Sequence, residues 1–170
     1  DVLYNLAVTY QHSEDSDKAT QALEQYLQKN PNDLKSWMQL AALQEKKGAV
    51  AQAKMTYEAI LQKNPQHKDA LLKLIAILEK SKDKAGLQTA YEKLAQLQPK
   101  NRTVQYNLGI LYYEGKKWDK AAQSFEAIAA AEPRDVESRK YLLDIYRKLK
   151  NEKGESEMLQ ALSQLDPKNT

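Results

Sequence analysis

The segment YNLGILYY at residues 106–113 shares its pattern with YNLAVTY at residues 4–10, and the two occupy the same place in a 34-residue repeat. The chain has 170 residues, and its prolines follow one another at intervals of 34: Pro31, Pro65, Pro99, Pro133 and Pro167. A fixed period of this length is the sequence signature of a repeat protein. The predicted repeats span 1–32, 33–66, 67–100, 101–134 and 135–170, in one domain over 1–170.

Each repeat carries two apolar stripes with helical spacing. One column is leucine in all five blocks: Leu6, Leu40, Leu74, Leu108 and Leu142. Apolar residues recur three and four positions from this column, and a second stripe follows, for example Ala121, Phe125 and Ile128. The pattern predicts two amphipathic helices, A and B, joined by a short polar turn. Proline ends helix B, and the Asn or Asp beside it is expected to cap the next helix A.

The predicted fold class is all-α, with ten antiparallel helices and no strand. A single hairpin cannot bury its own apolar face, so neighbouring hairpins must stack into a continuous core, which makes an α-solenoid. The sequence is 42% hydrophobic and 29% charged and contains no cysteine, which excludes disulfides and thiolate zinc sites. No apolar run approaches the roughly 18 residues that span a membrane. We expect a soluble protein and leave its compartment, cytoplasm or periplasm, open.

These columns resemble the tetratricopeptide repeat, with Leu-Ala or Leu-Gly, then Tyr, Ala, Tyr or Phe, and Pro at a period of 34. The resemblance covers the whole chain, and the two segments quoted above match best. It implies a right-handed superhelix whose A helices line a concave groove. It also implies a non-catalytic scaffold that binds a peptide or protein segment in that groove.

Two repeats depart from the pattern. The first, second and fourth repeats have a small residue early in helix B, at Ala19, Ala53 and Ala121, and we call this position the small-residue column. In the third repeat Leu87 occupies it and Gly86 precedes it, so we expect a loosened or shifted helix crossing. In the fifth, Glu155 takes the same column, so either helix B begins later there or this repeat faces water at an end. The chain stops at Thr170 without the polar capping helix that family members usually add. We expect it to be a piece of a longer protein.

A stripe of apolar residues on the A helices, beside the core stripe, predicts the partner-binding surface. A neighbouring column holds carboxamides, which could clamp the backbone of an extended peptide. That column resembles the asparagine ladder of the O-linked N-acetylglucosamine transferase superhelix, although Lys73 and Tyr141 interrupt it. The predicted partner-binding residues are Tyr4, Asn5, Val8, Met38, Gln39, Leu72, Lys73, Tyr106, Asn107, Ile110, Tyr113 and Tyr141. Two alternatives stay open: packing of these residues between repeats, and local bonding of the amides.

In the fourth repeat an apolar anchor of the partner is expected to sit between the rings of Tyr106 and Tyr113. The two-carboxylate clamp that some family members use for chaperone tails needs a fork of cations on three A helices, and no set of three repeats here supplies it. Self-assembly through uncapped terminal repeats is the alternative function, and sedimentation at several concentrations would test it.

Catalysis is not expected. The two histidines, His12 and His67, lie in different repeats and are expected to be solvated, and no phosphate loop, metal-ligand spacing or nucleophile motif is present. We therefore predict no enzyme activity, no cofactor and no metal. Lysines collect at the A–B turns of repeats two to five, where they offset helix dipoles. An anionic membrane surface or acidic partner is left open for them, and a nucleic-acid ligand is not expected.

Overall fold

The computed structural model describes residues 2–165, and every regular element within them is an α-helix. The helices are α1 Val2–His12, α2 Ser16–Lys29, α3 Leu34–Lys46, α4 Val50–Lys63, α5 Lys68–Ser81, α6 Lys84–Leu97, α7 Arg102–Glu114, α8 Trp118–Ala131, α9 Val136–Leu149 and α10 Glu152–Leu165. Odd-numbered helices are the A helices of the five repeats and even-numbered ones the B helices. The all-helical prediction is confirmed over residues 2–165.

The chain forms two compact units, the first running to Lys82 and the second beginning at Asp83. The boundary falls in the turn of the third repeat, the repeat in which Leu87 occupies the small-residue column. Within each unit, every helix packs against its neighbours in sequence, as expected of a stacked α-solenoid. The single domain over 1–170 stays a prediction.

The leucine column forms the core of the A helices. Leu40, Leu74, Leu108 and Leu142 are buried, whereas Leu6 is 39% exposed because no described helix lies before α1. Full burial of a leucine contributes roughly 1.5–3 kcal/mol, so this column is a main source of stability. Phe125 of α8 is fully buried in the second unit.

Side-chain caps begin the A helices of repeats two to five. The caps are Asp33, His67, Asn101 and Asp135, each accepting a hydrogen bond from the N–H three residues on. Each cap lies two residues after a proline and not beside it, so the predicted cap position is wrong by one residue. His67 acts through Nδ1, which gives this histidine a structural role that the sequence did not suggest.

In the fifth repeat the buried small residue is Gly154, one position before the column that Glu155 occupies. Helix α10 begins at Glu152, the same repeat position at which α8 begins at Trp118, so the prediction of a later start is wrong. Gly154 is buried against the ring of Tyr146, in place of a small residue at position 155. Glu155 stays partly exposed and accepts a hydrogen bond from Arg147 Nε at 2.8 Å.

The A–B turn places one residue in the left-handed region in every repeat. The five residues are Glu14, Gly48, Lys82, Lys116 and Lys150, with φ between 55° and 74°. Left-handed backbone brings Cβ close to the carbonyl oxygen, so glycine is the favoured residue at such a position. Only the second repeat uses glycine there, and the other four turns carry a conformational cost.

We expect Lys150→Gly to raise the free energy of unfolding by up to about 1 kcal/mol, because glycine removes the Cβ clash. Urea denaturation followed by circular dichroism measures the change. The matched control is Lys150→Ala, which deletes the lysine side chain but keeps the clash. A glycine variant no more stable than the alanine variant would contradict the prediction.

Candidate partner-binding surface

In the second unit, α7 and α9 present two side-chain stripes that contact one another. On each helix the residues are four and then three positions apart, which places them on one helical face. We call this set the α7–α9 surface; its residues are Tyr106, Ile110 and Tyr113 of α7 and Glu137, Tyr141 and Asp144 of α9. Glu137 is exposed, and the other five are half-buried.

Two tyrosine hydroxyls join the stripes. The hydroxyl of Tyr106 donates to Glu137 Oε1 at 2.7 Å, and that of Tyr113 donates to Asp144 Oδ2 at 2.5 Å. The second bond lowers the pKa of Asp144 and raises the pKa of Tyr113 to about 12. At neutral pH both tyrosines are therefore protonated donors, and Asp144 is a charged acceptor.

Tyr141 is the centre of an aromatic cluster. Its ring stacks on Phe125 with centroids 4.7 Å apart and an interplanar angle of 3°. Tyr106 and Tyr113 both pack edge-on against it, at 6.2 and 5.4 Å. The ring of Tyr141 therefore borders the space between Tyr106 and Tyr113. Buried Phe125 of α8 supports Tyr141 by stacking on it.

Two cations flank the surface. Arg102 donates to Asp135 at 2.8 Å and to Glu132 at 3.1 Å, and its guanidinium is 3.7 Å from Glu137 Oε2. At the other end, Lys148 Nζ lies 3.2 Å from Asp144 Oδ2 and 5.5 Å from the centroid of the Trp118 ring. Arg102 also lies 5.8 Å from the centroid of the Tyr106 ring, so each cation is held partly by the α7–α9 surface itself and partly by groups at its edge.

The predicted carboxamide column is partly used inside the fold. Asn107 Nδ2 donates to the hydroxyl of Tyr91 at 2.8 Å, and Gln39 Nε2 donates to that of Tyr4 at 3.4 Å. Gln39 Oε1 is buried and has no hydrogen-bond partner among residues 2–165. The Gln39 residue also lines a cavity of about 280 Å³, together with Gln11, Ser16, Ala42, Leu43 and Lys46.

The other predicted residues of the first unit are more dispersed. The ring of Tyr4 lies 5.5 Å from that of Tyr26, and Lys73 Nζ lies 3.6 Å from Glu45. Leu72 is 43% exposed, and Asn5 is also exposed. Val8 and Met38 are half-buried. The predicted residues of the first unit thus do not share one cluster, although the hydroxyl of Tyr26 donates to Asp33 at 3.1 Å.

Sequence reasoning missed Glu137, Asp144 and the support from Phe125. Both tyrosine–carboxylate bonds join residues 31 positions apart. One repeat of 34 residues leads from a tyrosine to the equivalent position on the next A helix. The carboxylate lies three residues, about one helical turn, before that position. A search for tyrosine and carboxylate pairs at this spacing would have found both.

Among residues 2–165, no group of three or more His, Asp or Glu side chains could hold a metal ion. No helix in this part of the chain combines the length and apolar character needed to span a membrane.

Comparison with known proteins places this geometry in a family. One tetratricopeptide repeat model matches residues 88–136 and 110–169, and a second matches residues 1–33 and 35–67. No curated protein sequence matches the chain.

Solved structures share the fold at low sequence identity. MamA AMB-1 is 17% identical with a TM-score of 0.62, over 99% of this chain and 92% of that one. MamA from Desulfovibrio magneticus RS-1 is 16% identical with a TM-score of 0.53, over 99% and 96% of the two chains. A tetratricopeptide repeat protein from Parabacteroides merdae is 17% identical with a TM-score of 0.57, over 98% of this chain and 66% of that one. Five 34-residue repeats and stacked helix hairpins agree with these matches, and the chain belongs to the tetratricopeptide repeat family.

Proposed function

We propose that this protein is a non-catalytic scaffold that holds a peptide or protein segment on the exposed face of its A helices. Tetratricopeptide repeat proteins typically bind other proteins, and stacked hairpins offer extended surfaces for this purpose. The observation that carries the proposal is the α7–α9 surface. It combines half-exposed tyrosine rings with an aliphatic side chain, the composition that dominates the centres of protein interfaces.

A photoreactive amino acid at Ile110 should identify the partner in extracts of the native host. The control position is Gln123, which is exposed on B helix α8 of the same unit. Crosslinks from Ile110 and not from Gln123 would support binding on the A helices, and mass spectrometry would give the captured segment. Equal crosslinking from both positions would count against the proposal.

Calorimetry with a synthetic copy of the captured segment then compares two double variants. Tyr106→Ala with Tyr113→Ala should weaken binding by about 2 kcal/mol or more, roughly thirtyfold, because tyrosines at an interface centre carry much of the binding energy. Lys116→Ala with Lys117→Ala changes the exposed turn beside them and should cost under about 1 kcal/mol.

Because the two tyrosines also pack on Tyr141, Ile110→Ser serves as a milder variant, and circular dichroism checks that helicity is kept. If the lysine pair dominates the affinity with strong salt dependence, the turn is the functional surface and the proposal is wrong.

A further inference from the structure

We infer that the α7–α9 surface takes a basic segment of its partner and receives an arginine side chain over Tyr141, between Glu137 and Asp144. This inference rests on the proposed function and names the class of partner.

The surface offers acceptors to a ligand. The hydroxyl protons of Tyr106 and Tyr113 are already donated to Glu137 and Asp144. Glu137 Oε1 takes the first of these bonds, while Oε2 forms an ion pair with Arg102 at 3.7 Å that is too long for a hydrogen bond. Asp144 uses Oδ2 for both Tyr113 and Lys148, which leaves Oδ1. A ligand must therefore bring donors.

The carboxylates of Glu137 and Asp144 bracket an aromatic ring. Glu137 precedes Tyr141 by four residues and Asp144 follows it by three, so one carboxylate lies about one helical turn to each side. Phe125 stacks on Tyr141 and holds the plane of its ring. A planar guanidinium can stack on a tyrosine ring while its N–H groups reach carboxylates, and this combination favours arginine.

The aliphatic part of an arginine side chain can pack against Ile110. Ile110 lies between Tyr106 and Tyr113 on α7 and is half-buried. The methylene stem of a long basic side chain packs on such apolar surface while its charged end stays at the polar edge. The aliphatic stripe of α7 and the acidic stripe of α9 together match the two parts of one arginine side chain.

The cations nearby compete with this ligand for Glu137 and Asp144, but each of them has a second partner. Arg102 is held by Asp135, whose side chain is 7% exposed, and by Glu132. Lys148 is shared between Asp144 and the ring of Trp118. Lys140 is exposed on α9 next to Tyr141 and forms no ion pair with residues 2–165, so its flexible side chain can move into water. Its charge opposes a basic ligand, and its removal should strengthen binding.

Three synthetic peptides test the inference by fluorescence anisotropy on the full chain near physiological salt. Each consists of four Gly-Leu-Xaa units, where Xaa is Arg, Gln or Glu. The Arg peptide should bind on the order of tenfold more tightly than the Gln peptide, as expected for one stacked and ion-paired side chain. The Glu peptide should bind most weakly. Equal or tighter binding of the Glu peptide, or no binding of the Arg peptide, would overturn the inference.

Two pairs of substitutions locate the binding. Glu137→Gln with Asp144→Asn keeps acceptor oxygens for both tyrosines and should weaken the Arg peptide on the order of tenfold. Asp119→Asn with Glu157→Gln removes the same charge from the B helices α8 and α10 and should leave affinity nearly unchanged. Lys140→Gln should strengthen binding a few-fold. Equal losses in the two double variants would mean that only overall charge matters and would overturn the inference.

The outcomes separate this inference from the proposed function. If the segment captured at Ile110 is neutral or acidic, the scaffold function stands and the basic partner is wrong. If Ile110 captures nothing above the control position, the proposed function fails first.

Discussion

Phe125→Ala is expected to lower the free energy of unfolding of the second unit by about 3–5 kcal/mol. Phe125 is fully buried on α8 and contacts two other helices at once. Its ring stacks on Tyr141 of α9, meets Tyr106 of α7 edge-on at 5.9 Å, and lies directly under Gly109. Truncation would remove the transfer free energy of the ring and leave a cavity that three packed helices can close only in part.

Urea denaturation of Phe125→Ala, monitored by far-ultraviolet circular dichroism, measures this loss. Leu159→Ala is the control, because Leu159 is 42% exposed on α10 and its truncation should cost far less. Phe125→Leu should fall between the two, since it keeps much of the apolar volume. A Phe125→Ala variant that unfolds at the same urea concentration as the Leu159→Ala variant would show that the ring does not hold the unit together.

The same truncation should disturb the α7–α9 surface. Without Phe125, Tyr141 loses the ring that sets its plane, and Tyr106 loses an edge contact. The core of the second unit and its candidate binding surface are therefore coupled through one side chain. A substitution of Phe125 would therefore change stability and binding together, whereas substitutions on the surface that leave Phe125 intact test binding alone.

The helices could be predicted from the sequence because a repeat shows the same apolar period five times. Each A and B helix must bury one face, and the resulting three- and four-residue spacing is visible without any structure. The small-residue column could also be predicted from the sequence, but the burial of Gly154 in its place in the fifth repeat could not. Gly154 takes that place because the Glu155 side chain pairs with Arg147, and a one-residue shift costs little at the edge of the core.

The bonds between repeats were harder to predict. Tyr112 donates to Glu92 at 2.8 Å and Tyr146 donates to Glu126 at 2.6 Å, both across 20 residues. These bonds depend on how one hairpin lies on the next, which no local pattern encodes. The left-handed lysines of the turns were missed for an energetic reason. The cost of about 1 kcal/mol at each is small beside the burial of the two helices that the turn connects.

The second large effect is expected at Gly109, where α7 and α8 cross. A Cβ at this position would lie 2.9 Å from Cζ of Phe125 and 3.1 Å from Cε1 and Cε2 of the same ring. We expect Gly109→Val to lower the free energy of unfolding by about 3 kcal/mol, because overpacking a closed core forces rings off their preferred rotamers or moves the helices apart. Valine gains little helix propensity over glycine, so propensity does not offset the clash.

A double-mutant cycle tests whether the clash with Phe125 is the cause. Phe125→Leu shortens the side chain facing Gly109, so adding it to Gly109→Val should recover a large part of the loss, with a coupling energy of about 0.5–3 kcal/mol. Thr103→Val serves as the control on the exposed side of α7, where valine meets no buried ring and stability should hardly change. Urea denaturation of all four chains gives the cycle. Strict additivity of Gly109→Val and Phe125→Leu would contradict the proposed contact, whereas recovery would show that glycine is required here by the ring beneath it and not by backbone conformation.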